Sequence, residues 1–425
     1  MPCYGKETRR ALENFDLGGG RTRMELIYAV VEIKKAAALT YARIDPEKAA
    51  LYEAVAGACD RVLSGEADES FPLQALQGGA GTSTNMNVNE VLASLASEKL
   101  GRRVHPLDDV NRGQSTNDVY PTALRIAAIR LLRQLAEECA ALQESLQKKE
   151  NEYADIRKLG RTELMDAVPV TLGEEFGAYA QAIARDRWRL YKVEERLRQV
   201  NLGGTAVGLS DNAECRYRYG VVEELRKLTD IGLAAAEYPM DVTQNCDVFV
   251  EVSGLLKALA VNLMKIANDL RLMNAGPHGG LGEIRLAPMQ RGSTIMPGKV
   301  NPVIAEMTME VSMRVIANDC AITEAAARGE LELNAFLPLI ADCLLEDLTL
   351  LKNAVRLFRE RCVDLLEPDA ARCRALLEAS AARAASYVPA LGYDAVAETV
   401  EQYGVSSEVL YAELERRKAA ARRKK

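Results

Sequence analysis

Six apolar residues, Leu256, Leu259, Leu263, Ile266, Leu270 and Met273, recur at spacings of 3, 4, 3, 4 and 3, with Lys257, Asn262, Lys265 and Asp269 off the line. A stripe held at that period for about five turns predicts one long helix. A second stripe runs through Leu124, Ala128, Leu131, Leu135, Cys139, Leu142 and Leu146. Such stripes report packing rather than chemistry, and two of them predict an all-α bundle of long helices. Seams of this length carry more apolar face than one chain readily covers, so an oligomer is expected. Composition agrees: aromatic residues are 5%, with a single Trp, which disfavours a β-sandwich. Period-2 alternation is scarce, and Phe249-Val250-Glu251-Val252 is the best short strand candidate.

Several function classes drop out early. At 425 residues the chain is expected to hold two to four domains or one elongated one. Its net charge, 54 − 61 = −7, argues against general binding of nucleic acid or of an anionic membrane. Nine cysteines without a CxxC read as reduced thiols rather than a disulfide framework. With only His105 and His278 and no Cys/His cluster, no metal site is expected. The start, Met1-Pro2-Cys3-Tyr4-Gly5-Lys6, lacks a basic-then-apolar signal, and no apolar run approaches the roughly 20 residues that span a bilayer, so a cytoplasmic protein is expected. The closing run of Arg416, Arg417, Lys418, Arg422, Arg423, Lys424 and Lys425 reads as cations at a helix end, with a tail for an acidic partner as the alternative.

Four polar islands interrupt the helical pattern: Gly78–Asn87, Asn111–Asp118, Gly160–Asp166 and Gly292–Pro302. A cap or turn needs one or two Ser, Thr, Asn or Gly residues, and the first two islands supply many, each directly before a helix. Hydroxyls, amides and free N–H groups at helix starts suit a carboxylate ligand. The fourth island is the sharpest. Gly292 and Gly298 bracket Ser293 in a loop free to move, and Lys299 follows at once. Ser293 reads either as a nucleophile, for which no His lies nearby in sequence, or as a base. A serine alkoxide stabilised by backbone N–H groups and a cation is strong enough to take a proton from carbon beside a carboxylate.

The segment Ser293–Pro302, STIMPGKVNP, closely resembles the signature of the aspartase/fumarase superfamily. The resemblance extends over nearly the whole chain, from Tyr4-Gly5 through the first two islands, VTQN at 242–245 and LELN at 331–334, to GYD at 392–394. Within the superfamily, Gly78-Gly79-Ala80-Gly81-Thr82-Ser83 and Asn301-Pro302-Val303-Ile304 look like aspartate ammonia-lyases more than fumarases. The resemblance implies three domains, N-terminal (1–114), central helical bundle (115–370) and small C-terminal (371–425), in a homotetramer whose active sites are each shared by three subunits. It implies a cofactor-free anti-elimination of ammonia from L-aspartate, giving fumarate through an aci-carboxylate intermediate. Ser293 would be the base, and Lys299 and Asn301 would hold the carboxylate that becomes the aci-carboxylate. Thr82, Ser83, Asn85, Ser115, Thr116, Asn117 and Thr162 would grip the substrate's other groups.

One departure bears on the substrate. Glu163 stands next to Thr162, where the family usually has His or Gln beside the substrate. Two like charges about 4 Å apart at an effective dielectric of about 20 repel by about 4 kcal/mol. Glu163 is therefore turned away and paired with Arg161, or protonated, or in contact with the substrate ammonium, or faces a substrate lacking a carboxylate there. This keeps open a same-mechanism lyase on another amine-bearing succinyl substrate, alongside fumarate hydratase. Leu107, in His105-Pro106-Leu107-Asp108, replaces a polar residue of the accessory surface site of fumarases, so that site is not expected.

Overall fold

The stripes become helices, and the polar islands become the places where helices begin. The computed structural model describes residues 3–405 and 408–423; Met1-Pro2 and the closing Lys424-Lys425 of the basic run lie outside the described residues. In chain order the helices are α1 (Lys6–Asn14), α2 (Met24–Ile44), α3 (Ala49–Leu63), α4 (Thr82–Leu100), α5 (Thr116–Glu152), α6 (Leu172–Leu197), α7 (Cys215–Thr229), α8 (Pro239–Gln244), α9 (Asp247–Met273), α10 (Val303–Ala326), α11 (Leu337–Phe358), α12 (Ala370–Glu378), α13 (Val388–Leu391), α14 (Tyr393–Tyr403) and α15 (Glu408–Arg423). The fold is mostly helical, and no helix among the described residues is long and apolar enough to cross a membrane.

Two compact units can be distinguished. The first comprises Met1–Glu137, Asp186–Ala260 and Val311–Lys352; the second comprises Glu138–Arg185, Val261–Glu310 and Asn353–Lys425. In the first unit α2 packs against α3 and α7, and α4 against α1 and α3. Glu90 of α4, nearly buried, accepts hydrogen bonds from the backbone N–H groups of Gly5, Glu7 and Thr8 and from the Thr8 hydroxyl. That carboxylate satisfies the open donors of the first turn of α1, as an anion at a helix N-terminus does. In the second unit the strands β1 (Arg157–Thr162) and β2 (Met165–Thr171) form an antiparallel hairpin. Short strands of Ile284–Arg285 and Glu367–Pro368 pair antiparallel, and Tyr387, Val396, Leu410 and Leu414 close a small core among α13, α14 and α15.

Both predicted stripes are buried along their whole length within the chain. They are therefore already covered and do not themselves call for a partner. The apolar groups left exposed lie elsewhere, among them Trp188 and Tyr191 on α6 and Met313 on α10. The strand expected at Phe249–Val252 is instead part of α9. Phe249 and Val252 are buried and stand 7 and 4 residues ahead of Leu256, so they continue the helical stripe, and that longer period overrides a four-residue alternation. The basic run is helical through Arg423, with Arg416 and Arg417 both bonded to Glu413.

Candidate active site

The first two islands lie together in the first unit, each at a helix start. Gly81 caps α4 with φ +91°, and a Cβ there would come within 2.2 Å of the Tyr120 ring, so only glycine lets the first island close against α5. Thr82 opens α4 exposed, its hydroxyl donating to Gly79 O at 2.8 Å, and Ser83 is half-buried. Ser115 and Asp118 make a capping box at the start of α5: Asn117 N donates to Ser115 Oγ at 3.2 Å, and Ser115 N to Asp118 Oδ1 at 2.9 Å. Asp118 Oδ2 also accepts from Gly203 N and Thr205 N, both at 3.0 Å, which ties the loop beyond α6 to this helix start. Burial nonetheless pushes the Asp118 carboxyl up to about 6, against the pull of those N–H groups and of Lys34.

Asn85 and Thr116, from different islands, meet directly. Asn85 Nδ2 donates to Thr116 Oγ1 at 3.1 Å and to Asn111 Oδ1 at 3.2 Å. Asn111 Oδ1 also accepts from Asn89 Nδ2 at 3.2 Å and from Lys34 Nζ at 2.8 Å. Asn117 is held by Nδ2 on Ala206 O at 2.8 Å. The sequence singled out Asn85, Thr116 and Asn117 as gripping the substrate, and Asn111 only as the start of the second island, but neither Lys34 nor Asn89. The signal for Lys34 was present: it sits on the apolar line of Ile27, Val30, Val31, Ala38 and Tyr41 in α2, where a lysine has no ordinary reason to be.

The remaining candidates lie in the second unit. Thr162 ends β1, and Thr162 pairs with Met165 across a two-residue turn made by Glu163 and Leu164. Both turn residues have positive φ, +54° and +64°, where hairpins normally place Asn or Gly. Each exposes its side chain, and such backbone strain, about 1–2 kcal/mol per non-glycine residue, concentrates at functional sites. Of the four alternatives for Glu163, the pairing with Arg161 does not form. Arg161 instead donates to Glu283 Oε1 at 2.9 Å, because β1 carries its side chain toward the buried Glu283, whose other oxygen lies 3.0 Å from Lys158 Nζ. Glu283 thus fastens the hairpin to the strand that leads into the fourth island, a link that sequence spacing did not reveal.

The fourth island forms a loop closed on itself, lining an open hollow of about 590 Å³. Gly292 N donates to Lys299 O at 3.1 Å, and a Cβ on Gly292 would come within 2.2 Å of that oxygen. Asn301 Nδ2 donates to Gly292 O at 2.8 Å, pinning the loop's exit to its entrance. Inside the loop, Ser293 Oγ accepts from Ile295 N at 3.2 Å and Met296 N at 2.9 Å. Two backbone donors on one hydroxyl oxygen favour its anionic form. Lys299 is exposed, six residues on.

A family model described as lyase matches residues 2–317. The aspartate ammonia-lyase of Corynebacterium glutamicum is 43% identical over 402 residues, covering 92% of this chain and 76% of that protein. The class II fumarate hydratase of the same organism is 44% identical over 400 residues, covering 93% and 84%. Among solved structures, a fumarate lyase:delta crystallin from Brucella melitensis bound to cobalt superposes with a TM-score of 0.91 at 42% identity, over 99% of this chain and 97% of that one. A recombinant class II fumarase from Schistosoma mansoni gives 0.93 at 32% identity, over 97% and 92%. The chain belongs to this lyase family, the aspartase/fumarase superfamily.

Proposed function

We propose that this lyase eliminates ammonia from L-aspartate to give fumarate, with Ser293 as the base. The observation that carries the reading is the pair of N–H groups, from Ile295 and Met296, on Ser293 Oγ. As an alkoxide, Ser293 removes a proton from Cβ of the substrate. The electron pair enters the neighbouring carboxylate, giving an aci-carboxylate that Lys299 and Asn301 neutralise and hydrogen-bond. Collapse of that intermediate forms the carbon–carbon double bond and expels the amino group as ammonia. Thr82, Ser83, Asn85, Ser115, Thr116, Asn117 and Thr162 hold the other carboxylate and the ammonium, and no cofactor takes part. The proposed assembly is a homotetramer of three-domain chains (1–114, 115–370 and 371–425), each active site drawing on three subunits; the exposed apolar groups of α6 and α10 favour it.

A second reading, hydration of fumarate, is favoured by one observation, the 44% identity to a class II fumarate hydratase. The purified protein given L-aspartate, fumarate with ammonia, and L-malate separates the two by absorbance of the unsaturated acid. Turnover of aspartate is expected; turnover of malate alone would replace this reading with the second. Size analysis should give about four times 46.5 kDa. Mixing Ser293→Ala with Thr82→Ala subunits should restore part of the activity, and no recovery would remove the shared site.

A further inference from the structure

Lys34 is fully buried on the apolar face of α2. Taking an ammonium out of water is costly, and burial draws this one down to about 7, against the opposing pull of Asp118 and Cys59. An apolar residue would continue the stripe without that cost, so the lysine needs another explanation.

The bond it makes supplies one. Lys34 Nζ donates to the atom that faces it: the ammonium can do nothing else, and the neutral amine formed above about pH 7 still carries two hydrogens but could also accept. That atom is Asn111 Oδ1, and the amide's other end agrees, with Asn111 Nδ2 donating to Gln114 O at 3.1 Å. With Oδ1 facing it, Asn85 must turn its Nδ2 toward Asn111, and Asn85 Oδ1 is left buried without a partner. The second hydrogen of Asn85 Nδ2 then goes to Thr116 Oγ1, which makes that oxygen an acceptor. A hydroxyl that accepts from one side has its own hydrogen to give on another. Without the Lys34 donor, the bond to Gln114 O and the amides of Asn85 and Asn89 are what still oppose a flip of Asn111, and a flipped Asn111 lets Asn85 flip in turn and Thr116 spend its hydrogen on Asn85.

We infer that Lys34 is a positioning residue that sets the direction of the Asn111–Asn85–Thr116 hydrogen bonds, so that Thr116 offers its hydroxyl hydrogen to a substrate carboxylate. This inference rests on the assignment of Thr116 to the substrate, made above. Lys34 does not touch the substrate; it removes the alternative in which Thr116 would present a lone pair to an anion.

The test is a double-mutant cycle on the full-length protein, read as the inhibition constant for succinate, a dicarboxylate that cannot react, and as kcat and KM for L-aspartate. Thr116→Val should weaken succinate about tenfold, the loss of one hydrogen bond to a charged group. Lys34→Met alone should weaken it by a similar factor and raise KM while kcat stays within about threefold. In the Thr116→Val background Lys34→Met should add less than about twofold, since its effect passes through the hydroxyl already removed. Where Lys34→Met does not fold, Asn111→Leu, which deletes the acceptor, carries the same cycle. Independent losses that multiply, a fall in kcat at constant KM, or a Thr116→Val protein that binds succinate normally would each overturn the inference. A wild-type protein that neither converts aspartate nor binds succinate would overturn the functional reading and this inference with it.

Discussion

The two units differ in how they hold part of their candidate residues, although Thr82 of the first is exposed like several of the second. In the first, Asn85 and Thr116 are buried, bonded to each other and backed by a further layer of Asn89, Asn111 and Lys34. In the second, Thr162, Glu163 and Lys299 are exposed, and they stand on a strained turn and on a loop held mainly by its own backbone. On the proposed function, the contrast would separate recognition from reaction. A platform that reads carboxylates gains from rigidity, because each donor is ordered before the ligand arrives. A base that must meet carbon gains from standing on a segment able to move.

The sharpest way to break this contrast is Ser293→Ala. Activity should fall by about a thousandfold or more, within the range set by loss of a general base, while the thermal midpoint stays within about 1 °C, since the hydroxyl bonds only its own loop. More than a tenth of the wild-type kcat would remove Ser293 from the role of base. The converse expectation holds for the first unit. Asn111→Leu leaves buried donors of Lys34, Asn85 and Asn89 without their acceptor and should cost about 2–3 kcal/mol in denaturant unfolding. A neutral result there would mean that the platform is not held by this network.

Glu163→Gln sharpens the comparison at the hairpin tip. For an exposed residue solvent screens most of the bare repulsion, so a change of about tenfold in kcat/KM on L-aspartate is the expected scale. A gain would mean that aspartate binds against a handicap, and a loss would mean that the carboxylate holds the ammonium. No change would show that Glu163 faces away from the substrate.

The smallest effect concerns pH. The Lys34 ammonium ordinarily titrates near 10.5 and is drawn down to about 7 in the folded chain. Between those values the unfolded chain binds more protons, so this group makes stability rise with pH, and its contribution is least favourable below about 7. Wild type should therefore gain about 1 kcal/mol relative to Lys34→Met from about pH 8 to about pH 9, at fixed protomer concentration. Parallel curves would show that Lys34 is not titrating there.

Much of the helical frame was legible because its signal is periodic. The stripes at 124–146 and 256–273 are buried residue by residue. The helix starts at Thr82 and Thr116 fall where polar islands give way to apolar periodicity. The hairpin was not legible as strands: Arg157–Thr162 carries three cations in six residues, and its burial alternates poorly. The strand candidate at Phe249–Val252 is helical; four residues cannot distinguish two periods. The support behind the site was hidden for another reason. Lys34 to Asn111 and Arg161 to Glu283 are contacts 77 and 122 residues apart, which no local pattern records.

The self-closure of the Gly292–Lys299 loop has a consequence for the cost of reaction. Ordering a free chain segment removes about 1–2 kcal/mol of backbone entropy per residue, and a lid of this length left unstructured would draw that sum from every encounter with substrate. Here the bond from Gly292 N to Lys299 O and the Asn301 clasp have fixed much of the loop's shape in advance. On the proposed function, the substrate would shift a formed object rather than fold one, which would leave binding energy from its two ends for strengthening the contacts made as the proton leaves carbon.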